Sequence, residues 1–130
     1  VSIVKASALR NADWMPTDLS DPYCVCCILG KTESSFATPV IWKTLNPEWN
    51  FEQILPDFAD GDRIGFQVYD KDIGQSSDDF LGSAELASEQ FLPSGFSGSI
   101  NLEDGGGNAS LTLKIEVAPR GHPVYPLDIW

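Results

Sequence analysis

A chain of 130 residues with 42% hydrophobic content can bury one sizeable core but not two ordinary domains side by side. Its formal net charge of −11, with only eight Lys and Arg scattered along the sequence, excludes nucleic acid as a partner class, because phosphate binding needs clustered cations. The same charge opposes unaided binding to anionic lipid, so whatever draws the chain to a negative surface must bring positive charge with it.

No stretch reaches the roughly 20 unbroken apolar residues of a membrane span, and the first residues lack the charged start and apolar middle of a signal peptide. A soluble domain, or a piece of a longer protein, is expected; Val1 in place of Met, with a strand beginning almost at once, favours the piece.

Short apolar runs, many alternating, recur with turn signals between them, which predicts an all-β antiparallel sandwich of eight strands. In chain order the strands are expected near Val1 to Ala8, Pro22 to Leu29, Thr38 to Lys43, Trp49 to Leu55, Ile64 to Tyr69, Phe80 to Leu86, Gly98 to Leu102 and Leu111 to Val117. Alternation is clearest in the fifth, where Ile64, Phe66 and Val68 interleave with Gly65, Gln67 and Tyr69, and in the last. Cys24, Cys26 and Cys27 crowd into the second strand, poorly placed to pair with one another, and read as small buried hydrophobes of a reducing compartment. Ser88 before Glu89, Gln90, Phe91 and Leu92 reads as an N-cap and one helical turn, stopped by Pro93 and Gly95. Gly105-Gly106-Gly107 lacks the following Lys-Ser/Thr of a phosphate loop and is expected to be a hairpin turn. Asn108-Ala109-Ser110 is a glycosylation sequon in form only for a cytosolic chain. The domain is expected over residues 1–118, and the proline-rich 119–130, with the single His122 and Trp130 at its end, as an exit segment or linker.

The aspartates carry the functional signal. Seven of the twelve fall in two windows: Asp13, Asp18 and Asp21 after the first strand, and Asp70, Asp72, Asp78 and Asp79 after the fifth. If both loops lie at one end of the sandwich, these carboxylates converge and repel unless neutralised. Ca²⁺ suits such a cluster, being a hard cation that takes about six to eight oxygens from flexible loops; the bland alternative is a set of solvated loop acids. An EF-hand is excluded, because Asp70-x-Asp72-x-Gly74 places Gln75 and Leu81 where that loop needs Gly and Glu, and the loop joins strands.

Three motifs then resemble those of the C2 domains found in protein kinase C, synaptotagmins and membrane-tethering proteins. They are Ser20-Asp21-Pro22-Tyr23, Thr44-Leu45-Asn46-Pro47-Glu48-Trp49-Asn50, and Val68-Tyr69-Asp70-Lys71-Asp72 continuing to Asp78-Asp79-Phe80-Leu81-Gly82, in that order within roughly residues 1 to 118. The resemblance implies a C2 sandwich, in the type II permutation, with Asp21, Asp70 and Asp72 as calcium ligands, the Lys71 carbonyl as a neutral ligand, and Asp79 closing the site with Asp78 as the alternative. The family usually places a further acid six residues before the Asp of Ser-Asp-Pro-Tyr, where Met15 stands. Asp13, on a loop longer by two residues, is expected to fill that role, with Asp18 as its substitute.

Trp14 and Met15 on the first loop and Ile73 on the third are apolar residues among acids, expected to contact the membrane headgroup region, unless Trp14 folds back on the sandwich edge. The expected function is calcium-dependent binding to an anionic phospholipid membrane surface, cytoplasmic and peripheral once calcium is bound. Phosphatidylserine fits better than phosphoinositide, because the lysine cluster that family members carry before Leu-Asn-Pro is reduced to Lys43. The competing reading is a calcium-independent protein-interaction module with a protein partner. No small-molecule substrate or catalysis is expected, since one histidine in a Pro-rich tail cannot orient against the cysteines or the loop acids.

Overall fold

The structure, a computed structural model, describes residues 1–11, 19–72, 77–104 and 108–117. Eight strands form among these residues: β1 (Ser2–Ser7), β2 (Pro22–Ile28), β3 (Lys31–Ala37), β4 (Glu48–Glu52), β5 (Arg63–Asp70), β6 (Asp79–Ala87), β7 (Phe96–Asn101) and β8 (Ser110–Ile115), with one 3-10 turn at Ser88–Gln90. They make two four-stranded antiparallel sheets, ordered β4-β1-β8-β7 and β3-β2-β5-β6. No helix among the described residues is long and apolar enough to cross a membrane.

The period of two in the sequence decides which side chains go inside. Along β2, Pro22, Cys24, Cys26 and Ile28 are buried while Tyr23, Val25 and Cys27 point outward and stay half-covered. Ile64, Phe66 and Val68 of β5 face Ile3 and Ala6 of β1 and Leu111, Leu113 and Ile115 of β8 in one continuous core, completed by Leu81, Leu86 and Trp49. Cys24 and Cys26 are free thiols within it, and burial pushes Cys24 far up and Cys26 to about 12.

Two local expectations are corrected. The third strand is Lys31–Ala37, not Thr38 to Lys43. It is an edge strand that packs little more than Phe36 inward, so it lacks the apolar alternation that marks a central strand. Pro39 has no N–H to donate to a ladder, and residues 38–44 follow β2 as a loop, through Thr38 N–H to the Cys24 carbonyl at 2.9 Å and Ile41 N–H to the Pro22 carbonyl at 3.0 Å. Ser88 is the first residue of its turn and not the cap. Ala87 precedes it and donates its N–H to Gln90 Oε1 at 2.8 Å, while the Ser88 hydroxyl accepts from Gly61 N–H and donates to the Asp62 carbonyl.

The expectations for the Gly105–Gly107 hairpin and for the exit segment with His122 and Trp130 lie outside the described residues.

Candidate functional site

Register brings the acids together. Pro22 of β2 pairs with Asp70 of β5, and Asp70 pairs with Asp79 of β6, so Asp21, Asp70 and Asp79 line one end of three adjacent strands. Asp70 has the same inward parity as Ile64, Phe66 and Val68, which carries a carboxylate to the mouth of the sandwich interior at 0% exposure. Its Oδ1 accepts the Asp21 N–H at 2.8 Å, and the Lys71 N–H donates back to the Asp21 carbonyl at 3.0 Å.

Carboxylate oxygens of Asp70, Asp72 and Asp79 lie within 4.8 Å of one another. Two oxygens held by one Ca²⁺ at about 2.3–2.6 Å can be no more than about 5 Å apart, so this donor set fits a single hard cation. Asp21 flanks the group, and its Oδ1 accepts the Lys43 N–H at 2.7 Å.

Asp78 is turned elsewhere. Its Oδ1 accepts the Asp72 N–H at 3.0 Å, its Oδ2 accepts the Tyr23 hydroxyl, and Lys71 Nζ stands 3.9 Å from Oδ2. These contacts, the Asp72 N–H first, hold its carboxyl below the usual carboxylate range. Tyr23 is pushed well above the usual phenol range, by burial first and then by Asp78. Tyr23 also stacks on Tyr69 at 5.7 Å, and Tyr69 meets Phe80 edge-on at 5.8 Å. Asp78 thus ties Asp72 and itself to Tyr23 of β2.

The middle motif laces the base of the first loop. Asn46 Oδ1 accepts the Ala8 N–H at 2.9 Å, the Leu45 and Pro47 carbonyls accept Leu9 and Ala6, and Thr44 N–H donates to the Ser20 carbonyl. Trp49 then fills the core and donates Nε1–H to the Pro22 carbonyl at 3.3 Å. Arg10 donates to the Phe80 carbonyl at 2.6 Å, joining the first and third loop regions.

Of the residues singled out in the sequence, Asp21, Asp70, Lys71, Asp72, Asp78 and Asp79 thus meet at one end. Asp13, Asp18, Trp14, Met15 and Ile73 lie outside the described residues. The bracing roles of Arg10, Tyr23 and the Lys43 N–H carried no local signal. Lys31, the cation of β3, pairs with Asp62 at 2.8 Å and donates to the Asp57 carbonyl, which leaves no lysine cluster on that strand.

Comparison with known proteins gives the family. The model of the C2 domain matches residues 1–102. Extended synaptotagmin-1 of Mus musculus is 40% identical over 88 residues, which cover 65% of this chain and 8% of that protein. GTPase activating protein 1 of Oryza sativa subsp. indica is 41% identical over 88 residues, covering 66% of this chain and 50% of that protein. The chain therefore spans half or less of these relatives. A solved structure of the paired C2 domains of Extended-Synaptotagmin 2 superposes with a TM-score of 0.69 at 25% identity, over 88% of this chain and 38% of that one. Human GIVD cytosolic phospholipase A2 gives 0.73 at 19% identity over 94% of this chain and 17% of its own, a likeness of fold alone. With its sandwich, its three motifs and a family match over most of its length, the chain belongs to the C2 domain family.

Proposed function

We propose that this C2 domain, spanning residues 1–118 with 119–130 as an exit segment, is a non-catalytic module that binds anionic phospholipid membranes when Ca²⁺ occupies its acidic end. The observation that carries the reading is the convergence of Asp70, Asp72 and Asp79 oxygens within 4.8 Å beside Asp21. A folded chain tolerates such crowding of like charge when a cation relieves it. The placing of β8 between β1 and β7, with the acidic first loop following the first strand, supports the type II permutation.

In this reading Asp21, Asp70, Asp72 and Asp79 are ligands, with the Lys71 carbonyl between two of them and Asp13, or Asp18 in its place, from the first loop. Asp78 serves the site by holding Asp72 in place, since its own oxygens face Asp72 N–H and Tyr23. Ca²⁺, when bound, would add two positive charges per ion and offer coordination positions to a lipid phosphate or carboxylate oxygen. Without it, the carboxylates repel an anionic surface. A second structure of the paired C2 domains of Extended-Synaptotagmin 2, described as calcium bound, shares the fold at a TM-score of 0.68 and 23% identity, and supports the choice of ion by likeness only. Trp14, Met15 and Ile73 would contact the headgroups, the chain residing in the cytoplasm and peripherally on membranes.

The double substitution Asp70→Asn with Asp72→Asn tests the reading. Calcium-dependent pelleting with phosphatidylserine vesicles should disappear while the far-ultraviolet dichroism stays that of the parent. Unchanged pelleting would sink the mechanism.

A further inference from the structure

The residues expected to touch lipid came from the first and third loops, but the described surface exposes a large aromatic on a different one. Trp42, in the segment between β3 and β4, is 54% exposed, the most exposed large hydrophobic side chain among the described residues. β3 runs antiparallel to β2 and ends opposite Val25, and the segment after it continues alongside β2 toward Pro22, so it reaches the end that carries Asp21.

The backbone on both sides of Trp42 is fastened to that end. Ile41 N–H donates to the Pro22 carbonyl at 3.0 Å, Lys43 N–H donates to Asp21 Oδ1 at 2.7 Å, and Thr44 N–H donates to the Ser20 carbonyl at 2.9 Å. Lys43 adopts φ 56, a left-handed conformation that a side chain other than glycine holds only where its surroundings enforce it. The indole therefore projects from a pinned span of chain one residue away from the acidic cluster's edge. Singly exposed apolar residues are ordinary, but this one is followed by Lys43, also exposed, whose ammonium makes no ion pair among the described residues. An indole with one polar N–H beside an ammonium matches the boundary between acyl chains and anionic headgroups, where the ring buries and the cation meets phosphate. In a chain of net charge −11, a cation so placed favours a negative surface.

We infer that the 41–43 segment is a further membrane-contacting element, with Trp42 entering the interfacial region of an anionic bilayer and Lys43 pairing with its phosphates. The inference rests on the proposed calcium-dependent membrane binding and adds to it a contact that makes no use of a carboxylate. The Lys43 N–H bond to Asp21 ties the Trp42 span directly to the acidic end.

The test uses the full chain, Trp42→Ala and Trp42→Phe, with two separate readouts. Calcium affinity without lipid is measured by calorimetry, and partition into phosphatidylserine–phosphatidylcholine vesicles at saturating calcium by sedimentation. The expected result is parental calcium affinity for both variants, a roughly tenfold weaker partition for Trp42→Ala, and partial recovery in Trp42→Phe, in keeping with lost apolar burial of about 25 cal/mol per Å². Lipids carrying a quencher in the shallow acyl region should quench the parent's fluorescence more than that of Trp42→Phe. Equal partition of parent and Trp42→Ala overturns the inference while leaving calcium-dependent binding intact. Unequal partition with equal quenching overturns it too, since the indole would then act on binding without entering the bilayer. A parent that binds calcium but no vesicles removes the membrane reading itself, and the inference with it.

Discussion

Replacing Asp70 by Asn should make the calcium-free domain more stable and the calcium-loaded domain less so. Asp70 is fully buried, with carboxylate oxygens of Asp72 and Asp79 within 4.8 Å. At that separation and an effective dielectric of about 20, each pair of full charges repels by about 3.5 kcal/mol. Asp72 and Asp79 reach solvent, so screening lowers the net relief to about 1–2 kcal/mol. Asn keeps the Oδ1 acceptor for the Asp21 N–H, and so removes charge without removing that bond. Chemical denaturation in chelator should place Asp70→Asn above the parent by that margin, with a thermal midpoint several degrees higher. Added calcium should stabilise the parent by about 2.7 kcal/mol at about one hundred times its dissociation constant, and the variant scarcely at all. A variant less stable than the parent in chelator, or one that calcium stabilises equally, refutes the argument that these acids are held together at a cost relieved by a cation.

Asp78→Asn should lower stability in chelator near neutral pH by about 1 kcal/mol, the size of a charge-assisted hydrogen bond discounted for partial exposure. Because Asp78 titrates below the usual range in the folded chain, its contribution is complete above pH about 4 and is lost as pH falls through the lowered value. Denaturation at a series of pH values should show the gap to the parent closing in acid; a constant gap would contradict the Tyr23 and Asp72 contacts. Cys24 and Cys26 should resist a thiol reagent in the native chain and react only on unfolding, while Cys27, half-exposed on the outer face of β2, labels first; mass spectrometry of early modification sites decides. Gly95→Ala should cost about 1–3 kcal/mol, since φ is +100 there and a Cβ would come within 2.6 Å of the Ile115 carbonyl oxygen, and equal thermal midpoints would count against this close approach of the turn to β8.

Much of this was legible in the chain, for reasons that can be named. Alternation found β5 and β8 because both are flanked on each side by other strands and bury one whole face. It missed β3, whose edge position lets Lys31–Ala37 stay polar. Asp70, Asp72 and Asp79 were visible because acids at a strand end are informative once register is assumed. The parity that buries Asp70 could be counted from Ile64. The Tyr23–Asp78 and Arg10–Phe80 contacts were not visible, since they join residues 55 and 70 positions apart and depend on how the loops cross. Trp42 carries no signal in the sequence, because Thr38 to Lys43 reads as strand, whereas residues 38–44 are a loop.

The measurement that tests the central claim most directly is calorimetric titration of Ca²⁺ into the chelator-treated chain, followed by sedimentation with phosphatidylserine vesicles with and without calcium. The account predicts saturable heat in the first and calcium-dependent pelleting in the second. No heat up to millimolar calcium, or pelleting that ignores calcium, would contradict it.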